Sequence, residues 1–271
     1  MKTIHRRTLL SGITLLLNDL KALQPPFVTE SQKEGLPLPS ESWLVEGCQA
    51  FVIPAVTAPR MGLTPWVWYA PTLPKLPGLA EKWMFQRFTA AGIAVAGIDV
   101  GESYGSPSGR AIYTAFYRQL TAKRRFSRKP VLLARSRGGL MTLNWAAENA
   151  EKVGGFAGIY PVCNLSGYPG LEKASEAYGM TPEQLRLRLT KHNPVDRLAK
   201  LAKARVPMFA IHGDDDKLVP LGANSGEVAK RYSALGGKMQ LIVPKGQGHS
   251  MWAGFFECVE LVDFVVANAK G

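Results

Sequence analysis

The chain has 271 residues, 46% of them hydrophobic, enough to bury a full core as one large α/β domain or two small ones. Its formal charge is +12, but the basic clusters at Lys123-Arg124-Arg125, Arg128-Lys129 and 186–205 lack interleaved aromatics, which argues against a nucleic-acid surface. The three cysteines, Cys48, Cys163 and Cys258, are an odd number without metal-ligand spacing, so they allow one disulfide at most and no metal site.

At the N-terminus, Arg6-Arg7-Thr8-Leu9-Leu10 has the look of a twin-arginine signal, and a short apolar run continues to Leu17. Residues 1–24 are expected to form a leader for export to the periplasm or beyond, with a cytoplasmic start as the alternative. The run is too short to span a bilayer, so no stable membrane insertion is expected. Residues 25–271 then read as a single α/β domain.

Residues 25–42 form a proline-punctuated, extended lead-in. Strands are predicted at 49–57 and 64–70, joined by a turn through Pro59 to Gly62; Trp66 and Trp68, two apart, face one side of a sheet. A helical pattern over 79–91 ends at Gly92, a good C-cap, and the apolar run 93–98 is a strand opening into a polar, glycine-rich loop. A helix covers 111–123. The strand 131–134 meets Arg135-Ser136-Arg137-Gly138-Gly139 and a helix follows over 139–150. After a strand at 153–160, residues 161–196 carry no strand signal and are read as a small cap or lid. A helix at 196–204, a strand at 206–211, a helix at 225–235, a strand at 238–243 and an amphipathic helix at 255–269 complete the chain. Such alternation predicts a mostly parallel sheet covered on both faces, with ligands at the carboxyl ends of the strands.

The polar motifs fall at those ends. A strand, a small-x-Ser-x-Gly turn and a helix make a nucleophile elbow, in which crowding two positions either side of Ser136 demands small residues such as Ala134 and Gly138. A serine hydroxyl needs a base. Of four histidines, His5 lies in the leader, His192 in the cap and His212 at a strand end. His249, in the glycine-rich loop Lys245-Gly-Gln-Gly-His-Ser250, can reach back over the sheet. The segment His212-Gly-Asp-Asp-Asp-Lys-Leu-Val-Pro220 offers three carboxylates, and Asp216 has the spacing that sets it under the histidine loop. Asp214 and Asp215 are expected to hold the turn or face water, and Asp99 to pin its own loop.

Ser136, Asp216 in HGDDDKLVP and His249 in GQGHS, in that order, resemble the α/β-hydrolase superfamily over roughly residues 43–270. PWVWYA, GIDVGESYGSP, SRGGL, NWAAEN, YPVCNLSGYPG, NPVD, RYSALGG and GHSMW resemble bacterial prolyl-oligopeptidase-like or esterase-like serine hydrolases. The resemblance implies Ser136 as nucleophile, His249 as base, Asp216 as its partner, and an oxyanion donor at the Arg137 N–H. Many relatives carry His-Gly after the strand that here ends Ala70-Pro71-Thr72. Pro71 has no N–H, and Thr72, in preference to Ala70, is the expected second donor. Arginine directly after the serine is shared with glucuronoyl esterases. The implied activity is hydrolysis of small-molecule or carbohydrate esters, uronates among them, without metal or organic cofactor. A peptidase and a non-catalytic binding protein are the alternatives. Arg135, Glu102 and Trp252 are expected to contact substrate, and the two arginines flanking Ser136 to favour anionic esters.

Overall fold

A computed structural model describes residues 35–57 and 62–271; the expected leader, and the expected turn at 59–62 apart from Gly62, lie outside them. Eight strands form one sheet in the order β1-β2-β4-β3-β5-β6-β7-β8: β1 Glu41–Val45, β2 Cys48–Ile53, β3 Trp66–Ala70, β4 Ala94–Ile98, β5 Val131–Arg135, β6 Gly155–Ile159, β7 Met208–Ile211 and β8 Met239–Ile242. β1 and β2 are antiparallel at one edge and the other pairings are parallel. The predicted neighbours β2 and β3 are separated, because β4 inserts between them and pairs with both. β1 falls partly within the predicted lead-in; half-exposed at the sheet edge, it opens on the polar Glu41 and Ser42, and its apolar run is only three residues long.

The helices are α1 Lys82–Ala90, α2 Pro107–Lys123, α3 Gly138–Glu148, α4 Leu171–Ala174, α5 Pro182–Arg186, α6 Leu189–His192, α7 Ala199–Lys203, α8 Ser225–Ala234, α9 Ala253–Phe256 and α10 Val259–Ala269. α2 starts four residues before its predicted position: the Ser106 side chain accepts from the Gly109 N–H and Pro107 takes the first turn, where its missing N–H is harmless. The predicted C-terminal helix is broken at Glu257–Cys258 into α9 and α10.

Alternation along the strands divides the core. Trp66, Trp68 and Ala70 of β3 pack with α2, α3, α7 and α8 on one face, whereas Val67 and Tyr69 pack with α1 and α10 on the other. Trp66 and Trp68 stack at 5.5 Å, and Trp68 lies 4.8 Å from Trp145. Each such ring, fully buried, stabilises the fold by about 1.5–3 kcal/mol. Residues 161–196 contain short helices and no strand, and they pack over Tyr104, Leu140 and Val219 in a third, smaller cluster. No described helix is long and apolar enough to cross a membrane.

Candidate active site

β5 ends in the middle of the sheet, and Ser136 follows it with φ of +48°, the left-handed region that turns the chain sharply into α3. The Ser136 N–H donates to Ile159 O at 3.0 Å, and its carbonyl accepts from Val162 N at 2.7 Å and Gly139 N at 3.0 Å. This turn needs its glycines. A Cβ on Gly138 would collide with the Ala70 carbonyl, and one on Gly139 with the Val162 carbonyl.

His249 lies in the loop after β8 and Asp216 in the loop after β7, both at the carboxyl ends of their strands. His249 Nε2 is 2.9 Å from Ser136 Oγ, and His249 Nδ1 is 2.7 Å from Asp216 Oδ2. An Nδ1–H donated to the carboxylate leaves Nε2 as acceptor for the serine proton. The Asp216 side chain is fully buried; its Oδ1 accepts from Val219 N at 2.7 Å and Leu218 N at 3.0 Å. Its neighbours take other partners: Asp214 accepts from Gly246 N at 2.7 Å, and the exposed Asp215 pairs with Lys217 at 2.5 Å. The Gly246 N–H, then Lys245, hold the Asp214 carboxyl below the usual range.

Two aromatic and imidazole groups support the line, and neither was singled out for this by the sequence. The Tyr160 ring sits 4.3 Å from the His249 ring, and Phe255 backs Tyr160 at 5.0 Å. His212, fully buried, has Nε2 2.8 Å from Val219 O and 3.3 Å from Asp216 Oδ2, while Nδ1 is 2.8 Å from Ser225 Oγ. Nε2 therefore carries the proton and Nδ1 accepts from the Ser225 hydroxyl. Burial lowers the His212 pKa, so the ring braces the Asp216 loop in its neutral form.

Ser136 and His249 open on a cavity of about 260 Å³ walled by Pro71, Leu76, Tyr160, Tyr168, Leu218 and Met251, with Arg135, Arg137 and Ser250. The lining leaves out Thr72, Trp252 and Glu102, and the two arginines within it already have partners. Thr72 does not reach it: buried, it extends the β3–β4 ladder by one bridge to Asp99, and Pro71 takes the cavity position. Trp252 packs edge-on against Phe255 at 5.2 Å, and Met251 faces the cavity instead. Glu102 also stands off the wall, where its Oε2 lies 2.9 Å from Arg137 Nε, an ion pair without hydrogen-bond alignment. The arginines flanking Ser136 are both engaged: Arg137 Nη1 reaches the Tyr168 hydroxyl at 3.3 Å, and Arg135 Nη1 donates to Glu81 Oε1 at 2.7 Å. Asp99 accepts from the Gly101 N–H at 2.9 Å and so pins its loop. No group of three or more His, Cys, Asp or Glu side chains among the described residues is placed to hold a metal.

No family profile and no curated protein sequence matches the chain. Solved structures do. A puromycin-hydrolyzing peptidase of Mycobacterium tuberculosis aligns at TM-score 0.68 and 16% identity over 85% of this chain and 40% of its own. Dipeptidyl peptidase 4 of Porphyromonas gingivalis aligns at 0.69 and 14% over 86% of this chain and 36% of its own. An S-formylglutathione hydrolase from Agrobacterium tumefaciens aligns at 0.67 and 14% over 86% of this chain and 93% of its own. The chain thus spans about two fifths of the length of the two peptidases and nearly all of the S-formylglutathione hydrolase. With a parallel sheet flanked on both faces and an elbow at the end of a central strand, the chain has the α/β-hydrolase fold.

Proposed function

We propose that the chain is a serine hydrolase that cleaves carboxylic esters of small molecules, carbohydrate esters included, by acyl transfer to Ser136. The observation that carries this reading is the unbroken line from Asp216 through His249 to Ser136, at 2.7 and 2.9 Å, opening on a cavity.

The buried carboxylate keeps His249 Nδ1 protonated, so Nε2 takes the serine proton as Oγ attacks the ester carbonyl carbon. The oxyanion of the tetrahedral intermediate meets the Arg137 N–H at the start of α3, among amides with no partner inside the helix and at its positive end. A donor so placed is worth about 2.7–4 kcal/mol in the transition state. The imidazolium then gives its proton to the leaving alcohol oxygen as the C–O bond breaks, and the acyl group stays on Oγ. Water, deprotonated by the same Nε2, attacks the acyl carbon, and the acid leaves as Oγ recovers its proton. Each proton moves between groups of this chain, the substrate and water, so the scheme requires no cofactor. Residues 161–196, which place Tyr168 in the cavity wall, act as the cap.

A second reading, a peptidase, is favoured by the likeness to peptidase structures over most of the chain. Turnover of 4-nitrophenyl acetate, acetylated sugars and methyl uronates, set against dipeptide 4-nitroanilides, separates the two. The expected result is ester kcat/KM at least a hundredfold above that for the anilides. Anilide cleavage at comparable rates would replace the esterase reading with the peptidase.

A further inference from the structure

Arg135 ends a strand whose four preceding residues are buried and apolar, and its own side chain is only 15% exposed. Its partner Glu81 has a side chain with no exposure at all. Taking two charges out of water costs several kcal/mol each, so such a pair lasts only where further hydrogen bonds fix it. Here they do. Glu81 Oε1 accepts from Arg135 Nη1 at 2.7 Å and from the Tyr69 hydroxyl at 2.8 Å, and Oε2 accepts from the Gly78 N–H at 2.9 Å. The carboxylate thus grips one arm of the guanidinium from behind, and the Phe256 ring lies under it at 5.0 Å.

The other arm is held differently. Arg135 Nη2 meets Met251 Sδ at 2.9 Å, and a thioether is a weak acceptor on a flexible side chain, here 57% exposed. Both residues line the cavity that holds Ser136. No carboxylate lines it among the described residues, so a guanidinium mounted in the wall, with the Tyr160 hydroxyl also beside it, presents at Nη2 a donor whose Met251 partner can move aside. Arg137 is arranged otherwise: it sits at the rim, 29% exposed, with Glu102 and Tyr168 as partners, and hydrated pairs of that kind contribute little.

We infer that Arg135 is the docking group for a carboxylate carried by the substrate, which takes Nη2 by displacing Met251. This rests on the ester-hydrolase reading above and narrows its substrate class to esters bearing an anion near the scissile bond. It also moves the anion preference expected of both flanking arginines onto Arg135 alone. Planarity is what makes the device work. The guanidinium fork can hold Glu81 with one nitrogen and the substrate with another, whereas an ammonium is a single point already claimed by Glu81.

The test compares kcat/KM for two anionic esters with their methyl-capped neutral analogues. The mono-4-nitrophenyl ester of glutaric acid carries the anion on the acyl side, and 4-acetoxybenzoate carries it on the alcohol side. In the wild type at least one anionic ester is expected to exceed its neutral analogue about tenfold or more. Arg135→Lys keeps the charge and a partner for Glu81, so it is the variant expected to fold; a thermal melt checks this, and the ratio should fall toward one. Arg135→Gln paired with Glu81→Gln removes both charges together and should lower the ratio in the same way. Equal rates within both pairs in the wild type, or a preference that survives Arg135→Lys, would overturn the inference. Absence of all ester turnover together with an unlabelled Ser136 would instead overturn the hydrolase reading beneath it.

Discussion

Three consecutive aspartates differ in what their side chains can do. Only Asp216 is buried with two backbone N–H donors on one oxygen and the His249 Nδ1 on the other. Asp214 is spent on the Gly246 amide and Lys245. Asp216→Asn is therefore expected to preserve the fold and lower kcat by about three to four orders of magnitude with little change in KM, because an amide cannot hold the imidazole in the required tautomer. Asp214→Asn should lower it only severalfold. Steady-state kinetics beside circular dichroism checks both, and a larger loss in Asp214→Asn would move the acid to that position. The amides that bind the Asp216 carboxylate are those of Leu218 and Val219, within the segment whose spacing singled out Asp216 in the sequence. Thr72, Glu102 and Trp252 fall outside the cavity lining for a common reason. Whether a residue near a strand end faces a cavity depends on which way its loop leaves the sheet, and no local pattern encodes that. Tyr160 carried one signal, its place before Pro161 at the end of an apolar strand.

At the scale of elements, the short helices between β6 and β7 rest on a partly buried polar network. Arg197 Nη1 donates to Asn144 Oδ1 at 2.7 Å and its Nη2 to Glu148 at 3.1 Å, and Arg110 Nε lies 3.0 Å from Glu148. The Tyr178 hydroxyl donates to Tyr104 O at 2.9 Å, and His192 at the end of α6 stacks edge-on against Tyr178 at 5.0 Å. Burial, then the cations Arg110 and Arg197, lower the His192 pKa to about 4, with Glu148 opposing and Arg188 adding to the effect. A histidine that titrates near 6.5 when unfolded and near 4 when folded makes the unfolded chain bind the proton first. Stability is then full above about pH 6.5 and falls as pH drops toward 4, by an amount of order 3 kcal/mol. Melting temperature measured from pH 7.5 to 4 should show that decline, and His192→Phe should flatten it; an unchanged slope in the variant would remove His192 as the cause. Interior strands such as β3 and β5 were readable because burial on both faces leaves an unbroken apolar run. β1 escaped because its Glu41 and Ser42 belong to a half-exposed edge, and the break before α10 escaped because Phe255 and Phe256 continue the apolar pattern across it.

For the molecule as a whole, the parallel sheet explains how residues 113 apart in sequence come within hydrogen-bond reach. Every loop after a parallel strand emerges on the same edge, so the ends of β5, β7 and β8 deliver Ser136, Asp216 and His249 to one place. The alternation of strands and helices made that convergence predictable, whereas the strand order, with β4 between β2 and β3, required the long-range pairing itself. Acylation of Ser136 is tested most directly by treating the intact protein with a fluorophosphonate, weighing it and mapping the labelled peptide. A single adduct on Ser136 is predicted, formed orders of magnitude more slowly in His249→Ala and absent from Ser136→Ala. An adduct on another residue, or one that persists in Ser136→Ala, would contradict it.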